Sequence, residues 1–285
     1  MKIAIASGKG GTGKTTLATN LALFLTNLGH RTVYADCDVE EPNGHLFLKP
    51  EWDETRPVAV KIPRFDYDKC DYCGMCADIC RFNALAVLLD KVMLFPSLCH
   101  SCGGCFHICP QKAIDEINRT IGTIRTGKSR DVIVYEGRLN VGEALVPPIM
   151  KQLKDMIVPA DFTIIDSPPG TSCPVIEAVS ESDYVILVTE PTPFGLNDLS
   201  LAVSMIRALN LPFCVVINRQ GIGDDRVYKF CDSQGIDILL EIPNDRRIAE
   251  VCSDGELLVD VLPEYNVLLE SLMTNLRSRL KATGA

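Results

Sequence analysis

Six short apolar runs punctuate the chain, at Ile3–Ala6, Thr32–Ala35, Val132–Tyr135, Phe162–Ile165, Tyr184–Val188 and Phe213–Ile217. Few polar residues interrupt them, so each reads as a strand buried on both faces. Between them, Thr16–Leu28, Gly142–Met156 and Leu196–Leu209 carry apolar residues at helical spacing. This alternation predicts an α/β fold: a doubly wound, mostly parallel sheet covered by helices on both faces. Near the C-terminus, Leu268, Leu269, Leu272, Leu276 and Leu280 fall on one helical stripe. The tail after them, Lys281–Ala285, lacks bulky apolar anchors, so a core-packing last helix is expected rather than a membrane-binding one.

Residues from Pro63 to Ile117 break the rhythm. They hold eight of the thirteen cysteines and read as two similar halves. Cys70-x2-Cys73-x2-Cys76-x3-Cys80 leads to Ala84-Leu85, and Cys99-x2-Cys102-x2-Cys105-x3-Cys109-Pro110 leads to Ala113-Ile114. An internal repeat of this kind marks a duplication, and a compact unit with close ends can be inserted into another domain. The expected organisation is a main domain in two pieces, 1–62 and 118–285, with a small α+β insert at 63–117.

Composition narrows the possible partners. Hydrophobic residues make up 47% and charged residues 23%, with a formal net charge of −9. That balance disfavours general affinity for nucleic acid or anionic membrane. No apolar stretch approaches the ~20 residues of a membrane span, and Met1–Ala6 runs into a glycine loop without a leader-like segment. A cytoplasmic protein is expected. Clustered cysteines in a reducing compartment point to metal more than to disulfide.

Gly8-Lys9-Gly10-Gly11-Thr12-Gly13-Lys14-Thr15, followed by Thr16, fits G-x-x-x-x-G-K-[ST] between a strand and a helix. Glycines let the loop turn its N–H groups inward onto phosphate oxygens, and the following helix presents its positive end. Lys14 is then placed for the β- and γ-phosphates, and the Thr15 hydroxyl for Mg²⁺. Phe162–Asp166 is an apolar strand ending in an acid, which suits Asp166 to the magnesium shell. Taken alone, Lys9 is also compatible with a solvated loop lysine.

With its second lysine, Lys9, this loop resembles the deviant Walker A motif of the MinD/ParA/Mrp ATPases, to which nitrogenase iron protein is related. The resemblance covers nearly all of the chain outside the insert, and it implies a P-loop ATPase that closes as a homodimer around ATP. It implies further that Lys9 reaches the partner's nucleotide and that Asp38, in Asp36-Cys37-Asp38, positions the attacking water. Ser167-Pro168-Pro169-Gly170 looks like the family's second switch, with the Gly170 N–H able to turn toward a γ-phosphate. Asn218 and Arg219, after the strand Val215–Ile217, resemble the adenine-reading strand end. Pro243 and Asp245 resemble a second loop near the base.

The two cysteine runs match the bacterial ferredoxin pattern, in which the fourth cysteine of each run serves the other cluster. Cys70, Cys73, Cys76 and Cys109 are thus assigned to one [4Fe–4S] cluster, and Cys80, Cys99, Cys102 and Cys105 to the second. Zinc modules present separated C-x2-C pairs rather than triplets. Arg81 stands where the first run would usually carry proline, a turn residue and not a ligand. Of the other cysteines, Cys37, Cys214, Cys231 and Cys252 read as apolar filler. Cys173 follows Asp166 at the offset of one cluster ligand of nitrogenase iron protein; the second ligand has no counterpart, and an interface cluster is left open.

Two functional classes fit these features. In one, ATP state gates electron transfer from the clusters to a redox partner. In the other, the protein delivers a cluster to an acceptor, as Mrp-like carriers do. A positioning ATPase like MinD is the third and least favoured.

Overall fold

The structure, a computed structural model, describes residues 1–283; of the tail, Gly284 and Ala285 lie outside the described residues. Eleven strands are present among the described residues: β1 (Lys2–Ala6), β2 (Thr32–Asp36), β3 (Glu51–Phe65), β4 (Leu85–Leu88), β5 (Lys91–Leu94), β6 (Ile114–Ser129), β7 (Val132–Leu139), β8 (Phe162–Asp166), β9 (Tyr184–Thr189), β10 (Phe213–Gln220) and β11 (Ile238–Pro243). Nine of them form one sheet, ordered β11-β10-β9-β1-β8-β2-β7-β6-β3. From β11 to β7 all pairings are parallel; β7–β6 and β6–β3 are antiparallel. All six expected strands are found. The fold is that of a P-loop NTPase with a mostly parallel central sheet.

Both faces of the sheet are covered, as the apolar runs demand. Helices α1 (Lys14–Asn27), α2 (Gly44–Leu48), α3 (Met75–Asp78), α4 (Gly104–Ile108), α5 (Val146–Met156) and α6 (Cys173–Val179) come first. Helices α7 (Pro193–Ala208), α8 (Arg226–Ser233), α9 (Arg246–Ser253), α10 (Leu258–Val261) and α11 (Pro263–Thr283) follow. On one face, Leu17, Leu21 and Leu25 of α1 pack with Leu269, Leu272 and Leu276 of α11 against Ile3 and Ile5. On the other, Ile149 and Leu153 of α5, Val175 of α6 and Leu199 and Val203 of α7 pack against Ala4 and Ala6. The last helix is thus a core helix. No helix among the described residues is long and apolar enough to cross a membrane.

β3 and β6 were not expected from the sequence. They pair antiparallel from Glu51↔Lys128 to Phe65↔Ile114, forming a long ribbon at the sheet edge whose far end carries residues 66–113. Positions 63 and 117 lie inside these strands, where Pro63 pairs with Glu116 and Ile62 with Ile117. Pro57 and Pro63 are tolerated because β3 is the outermost strand. Trp52, in a stretch that reads as a linker, instead sits on β3 with the Arg125 guanidinium 4.2 Å above its ring.

Candidate nucleotide cleft and cysteine cavities

The glycine loop leaves β1 and enters α1 with two residues in the left-handed region, Gly11 (φ 75°) and Gly13 (φ 91°). Gly13 has a second constraint, because a Cβ there would fall 2.4 Å from Asn218 Nδ2. The close approach is used: Asn218 Nδ2 donates to the Thr12 carbonyl at 2.8 Å, while its Oδ1 accepts the Arg219 N–H. Asn218 therefore ties the loop to the end of β10.

Gly11, Gly13, Lys14, Thr15, Thr16, Asn218, Arg219, Pro243 and Asp245 line one cleft of about 430 Å³, ample for a nucleotide. Asn43, Phe47 and Cys252 line it too, and no sequence motif announced them. Asp245 caps α9, accepting from the Arg247 N–H, and pairs with the Arg247 side chain, which holds its carboxyl below the usual range.

At the phosphate end three acids converge. Asp36 and Asp166 are opposed in register on β2 and β8, and both are fully buried. Tyr34 Oη, itself buried, donates to Asp166 Oδ2 at 2.9 Å. Asp36 Oδ2 accepts the N–H groups of Asn43 and Gly44, at 3.1 and 2.9 Å. Burial raises the pKa of both acids; Lys14 and the Thr15 hydroxyl oppose the rise at Asp166, and the Gly44 N–H opposes it at Asp36. Asp166 Oδ1 is buried without a hydrogen-bond partner. A carboxyl oxygen left unpaired on an acid that also feels the Thr15 hydroxyl fits the oxygen donor set that Mg²⁺ takes. Asp38 is half-buried, and desolvation with the Asp166 charge raises it to about 6.

Two residues point elsewhere. Lys9 Nζ lies 3.1 Å from Glu190 Oε2, and the other oxygen of that buried carboxylate pairs with Arg219 at 3.0 Å. The Gly170 N–H donates to the Ser7 carbonyl at 3.0 Å. In this state neither Lys9 nor the Gly170 amide is free. Gly8 packs against α7, where a Cβ would strike the Asp198 carbonyl, and Gly10 has open space.

The cysteine segment is duplicated at the level of single contacts. Tyr72 and Gly74, then Ser101 and Gly103, take positive φ at matching places in the two loops. Cys80 Sγ accepts the Ala84 N–H at 3.3 Å, and Cys109 Sγ accepts the Ala113 N–H at 3.3 Å. Across the halves, Gln111 donates to Asp71, whereas the matching pair, Phe82 and His100, stacks at 3.8 Å. Cys70, Cys73, Cys76 and Cys109 line one cavity; Cys80, Cys99, Cys102 and Cys105 line another. These are the two quartets anticipated from spacing. Among the described residues, no group of three or more His, Cys, Asp or Glu is arranged to hold a single metal ion. Each quartet nonetheless sets four sulfur donors around one cavity, the all-cysteine donor set that an iron–sulfur cluster takes. Of the remaining cysteines, Cys37, Cys214 and Cys231 are buried filler, Cys252 lines the cleft, and Cys173 is exposed at the start of α6.

Residues 3–259 match the CobQ/CobB/MinD/ParA nucleotide binding domain. An uncharacterised protein of Methanocaldococcus jannaschii is 32% identical over 90% of this chain and 90% of its own length. An iron–sulfur cluster carrier protein of Pyrococcus abyssi is 25% identical over 89% of this chain and 77% of its own. Among solved structures, the cell division ATPase MinD of Pyrococcus furiosus superposes with a TM-score of 0.60 at 22% identity, covering 97% of this chain and 98% of that one.

Proposed function

This chain belongs to the CobQ/CobB/MinD/ParA nucleotide-binding family, and on that premise we propose a cytoplasmic Mg²⁺-dependent ATPase that couples nucleotide state to electron transfer through two [4Fe–4S] clusters. The observation that carries this reading is the sorting of eight cysteines into two cavity-lining quartets on a chain whose P-loop lines a nucleotide-sized cleft. The proposed units are an ATPase domain, 1–62 with 118–285, and a ferredoxin-like unit, 63–117.

In this proposal ATP binds with its phosphates in the cradle from Gly8 to Thr16 and its base against Asn218, Arg219, Pro243 and Asp245. Lys14 neutralises charge on the β- and γ-phosphates, and Thr15 with the free oxygen of Asp166 holds Mg²⁺, which would draw charge from the phosphate oxygens. Asp38 orients the attacking water. Lys9 leaves Glu190 to reach the nucleotide of a second copy, and the Gly170 amide leaves Ser7 to meet the γ-phosphate. Most of the rate gain comes from positioning and fixed charge. Cys70, Cys73, Cys76 and Cys109 would hold one cluster and Cys80, Cys99, Cys102 and Cys105 the other, supplying one-electron reducing equivalents to a protein acceptor.

A second reading, delivery of a cluster to an acceptor, is favoured by the relatives that bear the name iron–sulfur cluster carrier protein. One experiment separates the two. Reduced protein is mixed anaerobically with an oxidised redox protein or a cluster-free ferredoxin, with and without MgATP, while phosphate release and iron are followed. Electron transfer with iron retained supports the first reading, and iron moving to the acceptor replaces it with the second. No phosphate release in either mixture overturns both.

A further inference from the structure

We infer that Glu136, gripped by His45 and Arg125, is a positioning residue that links the nucleotide cleft to the β3–β6 ribbon bearing the cysteine segment. The inference rests on the nucleotide reading of the cleft. Its structural basis is a row of charged groups crossing the sheet in register. Asp166 on β8 opposes Asp36 on β2, Asp36 opposes Glu136 on β7, and Glu136 opposes Arg125 on β6. The row begins at Asp166, the acid on which Lys14 and the Thr15 hydroxyl act, and finishes on the ribbon.

The short segment Asn43–Leu48 touches this row at both ends. Asn43 and Phe47 line the cleft, and the N–H groups of Asn43 and Gly44 are fastened to Asp36. Between Gly44 and Phe47, His45 faces the other way, its Nδ1 2.9 Å from Glu136 Oε2. Glu136 is 1% exposed. Its Oε1 accepts Arg125 Nε at 3.2 Å, and Arg138 Nε stands 3.7 Å away. Arg125 in turn lies over Trp52 of β3, so both ribbon strands are engaged by one cation. The Leu48 carbonyl closes the segment onto β6 by accepting the Ser129 hydroxyl.

One contact in this chain is incompletely made. His45 Nδ1 and Glu136 Oε2 are close, yet neither forms a hydrogen bond of good geometry, and both atoms are buried. Buried polar atoms that meet out of line gain when a small displacement aligns them. A nucleotide pressing on Asn43 and Phe47 supplies that displacement. Gly44 keeps the segment from retreating: it packs against the Tyr34 ring so closely that a Cβ would lie 2.1 Å from Tyr34 Oη. Motion at the cleft is therefore delivered to Glu136, and through Arg125 to paired strands that continue, across register shifts after Trp52 and after Val58, to Phe65 and Ile114, a few residues from Cys70 and Cys109.

Hydrogen–deuterium exchange on the intact, iron-loaded protein tests this, with and without a non-hydrolysable ATP analogue and Mg²⁺. In the unmodified protein, peptides covering 51–65 and 114–129 should change protection on nucleotide binding. In Glu136→Gln and His45→Gln, nucleotide should still bind while that change falls about fivefold or more. His45 is partly exposed and its loss removes a single contact, so that variant keeps the test valid if Glu136→Gln does not fold. A ribbon indifferent to nucleotide in the unmodified protein overturns the inference. So does an undiminished response in variants that bind nucleotide. Iron content and phosphate release on the same samples judge the proposed function separately: a ribbon that responds in a protein without iron keeps the linkage and sinks the redox reading.

Discussion

In the proposed ATPase, the pH dependence of hydrolysis follows from Asp38. The residue is held where desolvation and the buried Asp166 charge oppose its ionisation, and Lys14 offsets them only in part, leaving a pKa of about 6 against an ordinary 3.8. A carboxylate orients water only when ionised, so activity should fall on the acid side as Asp38 gains its proton. The quantity to follow is kcat/KM for MgATP, which reports groups of the free enzyme. At pH 7 about nine-tenths of Asp38 is ionised, and at pH 5 about one-tenth. The account therefore predicts an approximately tenfold fall in kcat/KM from pH 7 to pH 5. The assay is initial-rate phosphate release after rapid pH change, with cluster absorbance confirming an intact protein. Asp38→Asn should lower kcat by about 10²-fold or more and leave the residual rate without the acid limb. A profile flat to pH 5, or an Asn variant within a fewfold of the unmodified rate, refutes the assignment of Asp38.

Other outcomes are equally specific. Asp38→Asn should stabilise the nucleotide-free protein at pH 8 by about 1 kcal/mol: the full shift would amount to about 3, and partial exposure screens most of it. Because the folded pKa is raised, this penalty is complete above about pH 6 and absent below 3.8, so denaturation midpoints of the two proteins should converge as pH falls from 8 to 5. Cys109→Ser and Cys80→Ser should each lower iron from about eight to about four per chain while sparing opposite clusters, read by iron assay and spectroscopy of the reduced protein. Gly44→Ala, whose Cβ would lie 2.1 Å from Tyr34 Oη, should lower stability by about 1–3 kcal/mol and weaken nucleotide binding, measured by denaturation and titration.

The features legible in the sequence are those whose chemistry is local. Gly8–Thr15 takes its turns within the loop itself, and each cysteine triplet falls within a few residues of chain, so spacing alone anticipated which of them the structure brings together. Asp166 was found because a buried apolar strand ends on it. The β3–β6 ribbon was not legible. Glu51-Trp52-Asp53-Glu54-Thr55-Arg56 is an exposed edge whose polar residues hide the strand period, and Pro57 and Pro63 read as breakers except at an edge. Glu136 lies just past an apolar run and acquires partners only through pairing with β2 and β6. Asn43, His45 and Phe47 belong to no motif; a five-residue helix pinned by Asp36 brings them to the cleft. Asn218, expected to read the base, is also a brace for the loop, a role visible only when Thr12 and β10 are brought together.

The central claim, that one chain couples a nucleotide cleft to two iron–sulfur clusters, is tested most directly by one anaerobic measurement. The purified protein is assayed for iron, reduced, and examined by electron paramagnetic resonance with and without MgATP. The account predicts about eight irons per chain and a reduced spectrum or midpoint potential that changes when MgATP binds. Bound zinc with negligible iron, or a full iron complement whose spectrum and potential ignore MgATP, would contradict it.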